Sequence, residues 1–117
     1  QFGKDVKILI VEDNFEVRQM IRRFVKNIAD EIVELDNGED ALETYIAHKP
    51  DWVLMDFQMG EVNGIQATKQ IISKYPQAKI VIITSHKEVA LRDKAKEAGV
   101  SGFILKENLS VLKDLLT

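Results

Sequence analysis

The sequence predicts an α/β domain built on a doubly wound parallel sheet, and three observations carry that prediction. Four short, continuously apolar runs recur along the 117 residues, each followed at once by polar residues. Between them, apolar residues return every three or four positions, the spacing of a helix face. The segments joining successive runs are long enough for right-handed crossovers, so the strands lie parallel and the helices cover both faces of the sheet.

The first strand is Ile8 to Val11, apolar throughout, as a strand buried on both faces requires. The first helix carries a stripe of Val17, Met20, Ile21, Phe24 and Ile28 that packs on the sheet. The second strand, Glu31-Ile32-Val33-Glu34-Leu35, mixes polar and apolar positions and therefore belongs at a sheet edge. Asn37-Gly38 is a turn signal opening a second helix, with Leu42, Tyr45 and Ile46 as its stripe and Pro50 beyond its end. After the third strand, Val53 to Met55, a helix runs from about Gly64 to Lys74 with Ile65, Thr68, Ile72 and Tyr75 inward. The fourth strand is Ile80 to Ile83. Ser85 with Glu88 makes a capping-box pattern for a helix that ends at Gly99. Its apolar face is thin, with Leu91, Ala95, Ala98 and one of Val89 or Ala90, so this helix is expected to hold less firmly than the first. Phe103 to Leu105 forms the fifth strand, and Leu109, Leu112, Leu115 and Leu116 line a final helix. The expected strand order is 2-1-3-4-5, the flavodoxin-like (βα)5 arrangement, whose binding crevice lies at the carboxyl ends of the strands.

Composition narrows the function. The chain is 45% hydrophobic and 30% charged, and no apolar run approaches the ~18 residues of a bilayer span. No secretory signal pattern opens it, so a cytoplasmic location and no membrane contact are expected. The absence of cysteine excludes disulfides, thiolate zinc sites and cysteine nucleophiles. A net charge of −3 provides no basic field for direct nucleic-acid contact. The chain opens on Gln1 and stops as the last helix completes, so an excised fragment is expected.

Few residues stand directly after the apolar runs. They are Glu12 and Asp13 after the first strand, Asp56 after the third, Thr84 after the fourth and Lys106 after the fifth. In the expected topology they converge. Carboxylates ~5 Å apart repel by roughly 3 kcal/mol per pair at an effective dielectric near 20. Either a proton or a cation offsets that, and an all-oxygen cluster with an open position suits Mg2+ or Mn2+. Lys106 adds a positive charge and Thr84 a hydrogen-bond donor. A nucleophilic oxygen, a metal, a cation and an orienting donor are what phosphoryl transfer to a carboxylate requires, and Asp56 is the obvious nucleophile. Taken singly, each residue has a plainer reading: Asp13 with Glu16 has capping-box spacing, Thr84 can close a strand, and Lys106 can snorkel from an edge. Their conjunction at separate strand ends favours the chemical reading.

With these motifs the chain resembles the receiver domain of bacterial two-component response regulators over nearly its whole length. The resemblance rests on Val11-Glu12-Asp13-Asn14, on Asp56 three residues before Met59, on Thr84-Ser85 and on Leu105-Lys106. It implies that residues 1–117 form one receiver domain, with Asp56 as phosphoacceptor for a sensor histidine kinase. It also implies Mg2+ bound by Asp13, Asp56 and the Gln58 backbone carbonyl, with Glu12 helping through water. Thr84 and Lys106 would bind phosphoryl oxygens, and Phe103 would be an aromatic switch that follows Thr84. The fourth helix, fifth strand and fifth helix would present the changed surface and a possible homodimer contact. Gly60 stands where the family usually has Pro, and Glu107 follows Lys106 where many members have a cis Pro. A trans bond is expected there, since a non-proline cis bond costs ~2.5–4 kcal/mol. The Leu105-Lys106-Glu107 ending is similar to the subgroup joined to helix-turn-helix DNA-binding domains, which implies an output domain absent from this chain and control of transcription. The alternative is a stand-alone receiver acting as adaptor or phosphorelay shuttle.

Gln58 and His86 each lie two residues beyond a site residue, Asp56 and Thr84, and are expected to border the path of attacking water and tune the aspartyl phosphate. Neither His48 nor His86 has metal-ligand spacing. A haloacid-dehalogenase-type phosphatase needs a second acid where Gln58 stands. The chain is therefore expected to catalyse only its own phosphorylation and dephosphorylation. A dinucleotide or flavin binder needs a phosphate loop where Glu12-Asp13 would repel phosphate.

Overall fold

The computed structural model describes residues 5–116, and its backbone follows the expected alternation. Strand β1 (Lys7–Val11) leads to helix α1 (Phe15–Val25), β2 (Glu31–Leu35), α2 (Ala41–His48), β3 (Trp52–Asp56) and α3 (Gly64–Lys74). β4 (Ile80–Thr84), α4 (Val89–Ala98) and β5 (Gly102–Leu105) follow. A 3-10 segment (Lys106–Val111) then runs into α5 (Leu112–Leu116). The strands form one parallel sheet in the order β2-β1-β3-β4-β5, the flavodoxin-like arrangement.

Alternation along the strands divides the core. Ile8, Ile10, Leu54, Val81 and Ile83 face the side covered by α1 and α5, while Leu9, Val11, Val53, Met55, Ile80 and Ile82 face α2, α3 and α4. These central residues are almost fully buried, which is why their sequence runs carry no polar interruption. β2, at one edge, is only half-buried.

Several local expectations are corrected. Asn14, not Asp13, caps α1: its side-chain oxygen accepts from the Val17 amide at 2.9 Å, which leaves the Asp13 carboxylate to the strand-end cluster. α1 ends at Val25, and Val25 is buried, whereas Ile28 packs from the turn beyond. In α2 the small Ala41 is buried and Ile46 is 39% exposed. The Ser85–Glu88 capping box does not form. Glu88 itself occupies the cap position without a side-chain bond, and in the loop before it the Thr84 hydroxyl accepts from the His86 amide. α4 ends at Gly99 as expected, in a left-handed conformation. The last helix opens as a 3-10 turn, whose tighter winding leaves Leu115 at the margin while Leu109, Leu112 and Leu116 are buried.

Candidate functional site

Parallel strand order brings five side chains to one rim. Asp56 and Thr84 end β3 and β4, Glu12 and Asp13 directly follow β1, and Lys106 follows β5. Glu12, Asp56 and Thr84 are nearly inaccessible, while Asp13 is exposed at the mouth. Together they line a cleft of about 310 Å3.

The loop after β1 is stitched at several points. The Glu12 amide donates to the Leu35 carbonyl at 3.0 Å, and the Asn14 amide donates to Glu12 Oε2 at 3.1 Å. The Glu12 carbonyl accepts from Arg18 Nη1 at 2.8 Å. On the other side of the cleft, α3 begins against Asp56. A Cβ on Gly64 would lie 2.3 Å from the Asp56 carbonyl oxygen, so only glycine permits this approach.

One oxygen from each of Glu12, Asp13 and Asp56 lies within 4.8 Å of the others. Lys106 Nζ stands 3.2 Å from Asp56 Oδ1 and 3.3 Å from Glu12 Oε1. The second of these is an ion pair without hydrogen-bond alignment, and Glu12 Oε1 has no hydrogen-bond partner among the described residues. One ammonium against three carboxylates leaves two negative charges uncompensated when all are ionised. Burial is the main force pushing the Glu12 carboxyl from its ordinary 4.5 up to about 7; the Asn14 amide draws it down and the Asp56 charge raises it. Burial also raises Asp56, against the pull of Lys106. Burial disfavours the Lys106 cation, but Asp56 and Glu12 outweigh it and hold its pKa above the ordinary value. An all-oxygen donor set, an excess of negative charge and a buried carboxylate oxygen whose one neighbouring cation, Lys106, is shared with Asp56 together fit a hard divalent cation such as Mg2+.

Gln58 and His86 meet over the cleft. His86 Nε2 lies 2.8 Å from Gln58 Oε1, so the tautomer carrying the Nε2 proton donates to that carbonyl. His86 Nδ1 is 3.7 Å from Glu88, and the ring packs edgewise on Phe57.

This arrangement can be set beside known proteins. A model of the response regulator receiver domain family matches residues 8–117. The chain belongs to that family. The chemotaxis protein CheY of Thermotoga maritima is 38% identical across 86% of this chain and 84% of its own length. DegU of Brevibacillus brevis, a transcriptional regulatory protein, is 32% identical across 87% of the chain and 44% of its own length. LnrK of Bacillus subtilis, with the same description, is 36% identical across 87% and 47%. The chain thus spans about half the length of these two regulators. Among solved structures, a LuxR-family response regulator from Aurantimonas superposes with a TM-score of 0.87 at 32% identity, over 95% of this chain and 81% of that one. The NarL receiver domain of Mycobacterium tuberculosis gives 0.86 at 28% identity, over 97% and 95%.

The two departures of this receiver domain have local explanations. Gly60 has φ 20°, which the proline ring, locked near −65°, cannot adopt. No cis peptide occurs among the described residues, so the bond from Lys106 to Glu107 is trans, as expected. Glu107 pairs instead with Lys87 at 3.1 Å, joining the loop after Thr84 to the loop after β5.

Phe103 lies opposite Ile82 in the sheet register and packs on the same face, two residues along from the Thr84–Leu105 pair. It is half-buried, with the Arg92 guanidinium of α4 over its ring at 5.0 Å from the centroid. The roles of Asn14, Arg18, Gly64 and Arg92 were not among those the sequence predicts. Arg18 and Arg92 find their partners on other elements, whereas Asn14, an Asn three residues before its Val17 partner, and Gly64, a glycine opening a helix, leave a hint in one dimension.

Proposed function

We propose that Asp56 is the phosphoacceptor of a phosphorelay, charged by the phosphohistidine of a sensor histidine kinase. Receiver domains of two-component systems interact with such kinases, and this chain belongs to that family. The observation that carries the reading is the Lys106 ammonium 3.2 Å from a nearly inaccessible Asp56 carboxylate, at the inner end of the acidic cluster.

Asp13, Asp56 and the Gln58 carbonyl would hold Mg2+, or Mn2+, with Glu12 reached through water. When bound, the ion would supply positive charge that offsets the acidic cluster and the charge of the transferring phosphoryl group. The chain's own groups do the rest. An Asp56 oxygen attacks phosphorus as the P–N bond of the donor breaks, and the bonding pair leaves with the imidazole nitrogen. Lys106 pairs with the carboxylate beforehand and then with a phosphoryl oxygen, so its own ammonium stays paired at both stages. The Thr84 hydroxyl accepts from the His86 amide at 3.1 Å, which leaves its own proton free to donate to the phosphoryl group. Thr84 moves toward the phosphate and Phe103 follows beneath it. Such a domain catalyses only its own phosphorylation and dephosphorylation.

The Gln58–His86 bridge borders the approach of hydrolytic water and sets the lifetime of the aspartyl phosphate. An unchanged dephosphorylation rate after replacing both residues would overturn that role. The changed surface comprises α4, β5 and α5, where Val89 of α4 is 72% exposed and Val111, in the 3-10 segment leading into α5, 44%, and it provides a homodimer contact. Likeness to DegU and LnrK, transcriptional regulatory proteins, supports transcription as the output, and membership of the receiver family is consistent with a cytoplasmic location. Likeness to CheY across 84% of that protein supports the second reading, a stand-alone adaptor or phosphorelay shuttle.

Acetyl phosphate with Mg2+ tests the chemistry. Intact mass should rise by one phosphoryl group, and Asp56→Asn should abolish the gain. No mass change in the unsubstituted chain would contradict the reading.

A further inference from the structure

Arg18 lies in the first turns of α1 and touches none of the reacting groups, yet its side chain is only 14% exposed. Nη1 donates to the Glu12 carbonyl at 2.8 Å, and Nε donates to Glu34 Oε1 at 3.0 Å. The guanidinium also lies over the Phe15 ring. Glu34, on β2, is held in turn by Gln19 at 2.7 Å and Arg22 at 2.9 Å. A chain of bonds therefore runs from the edge strand through Arg18 to the backbone between Glu12 and Asp13.

We propose that Arg18 is a positioning residue for the cation site, fixing the Glu12–Asp13 peptide so that both carboxylates converge on Asp56. The inference rests on the reading of that cluster as a divalent-cation site. A guanidinium near an acidic cluster would by charge alone weaken cation binding. Here the Glu34 carboxylate, in hydrogen-bond contact though shared with Arg22, offsets part of that charge, so the geometric role outweighs the electrostatic one. The fork of Arg18 spans two acceptors on different elements, which a lysine ammonium on a flexible stem does not reproduce. Arg22 supplies a built-in control: it shares Glu34 but is not bonded to the Glu12 carbonyl.

The test is Mn2+ binding to the unphosphorylated chain, followed by electron paramagnetic resonance, with thermal melts to confirm folding. Arg18→Met should weaken Mn2+ binding about tenfold, the scale found when groups supporting metal ligands are removed. Arg18→Lys should give a milder loss, and Arg22→Met should stay within about twofold of the parent. With acetyl phosphate, Arg18→Met should need more Mg2+ for half-maximal rate and reach the parental rate at saturation. Equal Mn2+ affinity in the parent and both Arg18 variants would overturn the proposal, as would equal losses in Arg18→Met and Arg22→Met. A parent chain that binds no Mn2+ would instead overturn the reading of the acidic cluster itself.

Discussion

The two edges of the sheet are built differently. At the β2 edge, α1 buries Ile21 and Val25, and Arg18, Gln19 and Arg22 converge on Glu34. At the β5 edge, α4 buries only Ala95 and Ala98, lacks a side-chain cap bond and leaves Val89 in solvent. Its other ties include the Arg92–Phe103 contact and, from the loop before it, an exposed Lys87–Glu107 pair. An alanine methyl removes far less apolar area from water than an isoleucine or valine side chain, so α4 is the weaker attachment. The site sits between a firm edge that holds its acidic loop and a loose edge able to respond to it.

Truncation gives the largest expected contrast. Ile21→Ala on α1 should cost about 3 kcal/mol, within the range for burying a cavity, whereas Leu91→Ala on the half-buried face of α4 should cost about 1 kcal/mol. Urea unfolding of the two variants checks this. Equal losses would break the comparison.

The acidic loop makes a pH prediction of similar or smaller size. A carboxyl raised from 4.5 to about 7 by folding binds its proton more tightly in the folded state. Without divalent cation, stability should therefore fall as pH rises from about 4.5 to 7, by on the order of 3 kcal/mol from this group if the full shift is expressed. Glu12→Gln should flatten that slope in chelator, measured by urea midpoints across the range. Burial raises Asp56 as well, so part of the slope should remain, and an undiminished slope would remove Glu12 as its main source.

Much of this was legible in one dimension, for a physical reason. Strands buried on both faces must be apolar at every position, so the runs at Ile8, Val53 and Ile80 mark β1, β3 and β4 to within a residue. Parallel order then places whatever follows those runs at one rim, which is how Glu12, Asp13, Asp56, Thr84 and Lys106 came into view before their contacts. What stayed hidden depends on register or on competition. Glu34 meets Arg18 only because β2 pairs in the register that sets Glu34 beside Ile10. Ser85 satisfies a capping pattern, but the Thr84 hydroxyl accepts from the His86 amide and the helix begins only after Glu88. Ala41 packs inward in α2 because a small side chain allows close approach, a signal that a search for large apolar residues passes over.

Arg92→Met should produce the smallest change in stability, under about 1 kcal/mol, as for an exposed cation–π contact. Its effect should appear locally, as faster amide exchange across 89–105 with α1 unchanged. Uniform acceleration across the domain would show that Arg92 supports the fold at large rather than the loose edge.

Hydrogen exchange before and after phosphorylation with acetyl phosphate and Mg2+ tests the central claim most directly, that a phosphoryl group on Asp56 is read through the weakly attached edge. The account predicts altered protection in α4, β5 and the segment from Lys106 to Leu116, with α1 and β2 unchanged and no alteration in Asp56→Asn. Changes confined to α1 and β2, or none in a chain shown to carry the phosphoryl group, would contradict it.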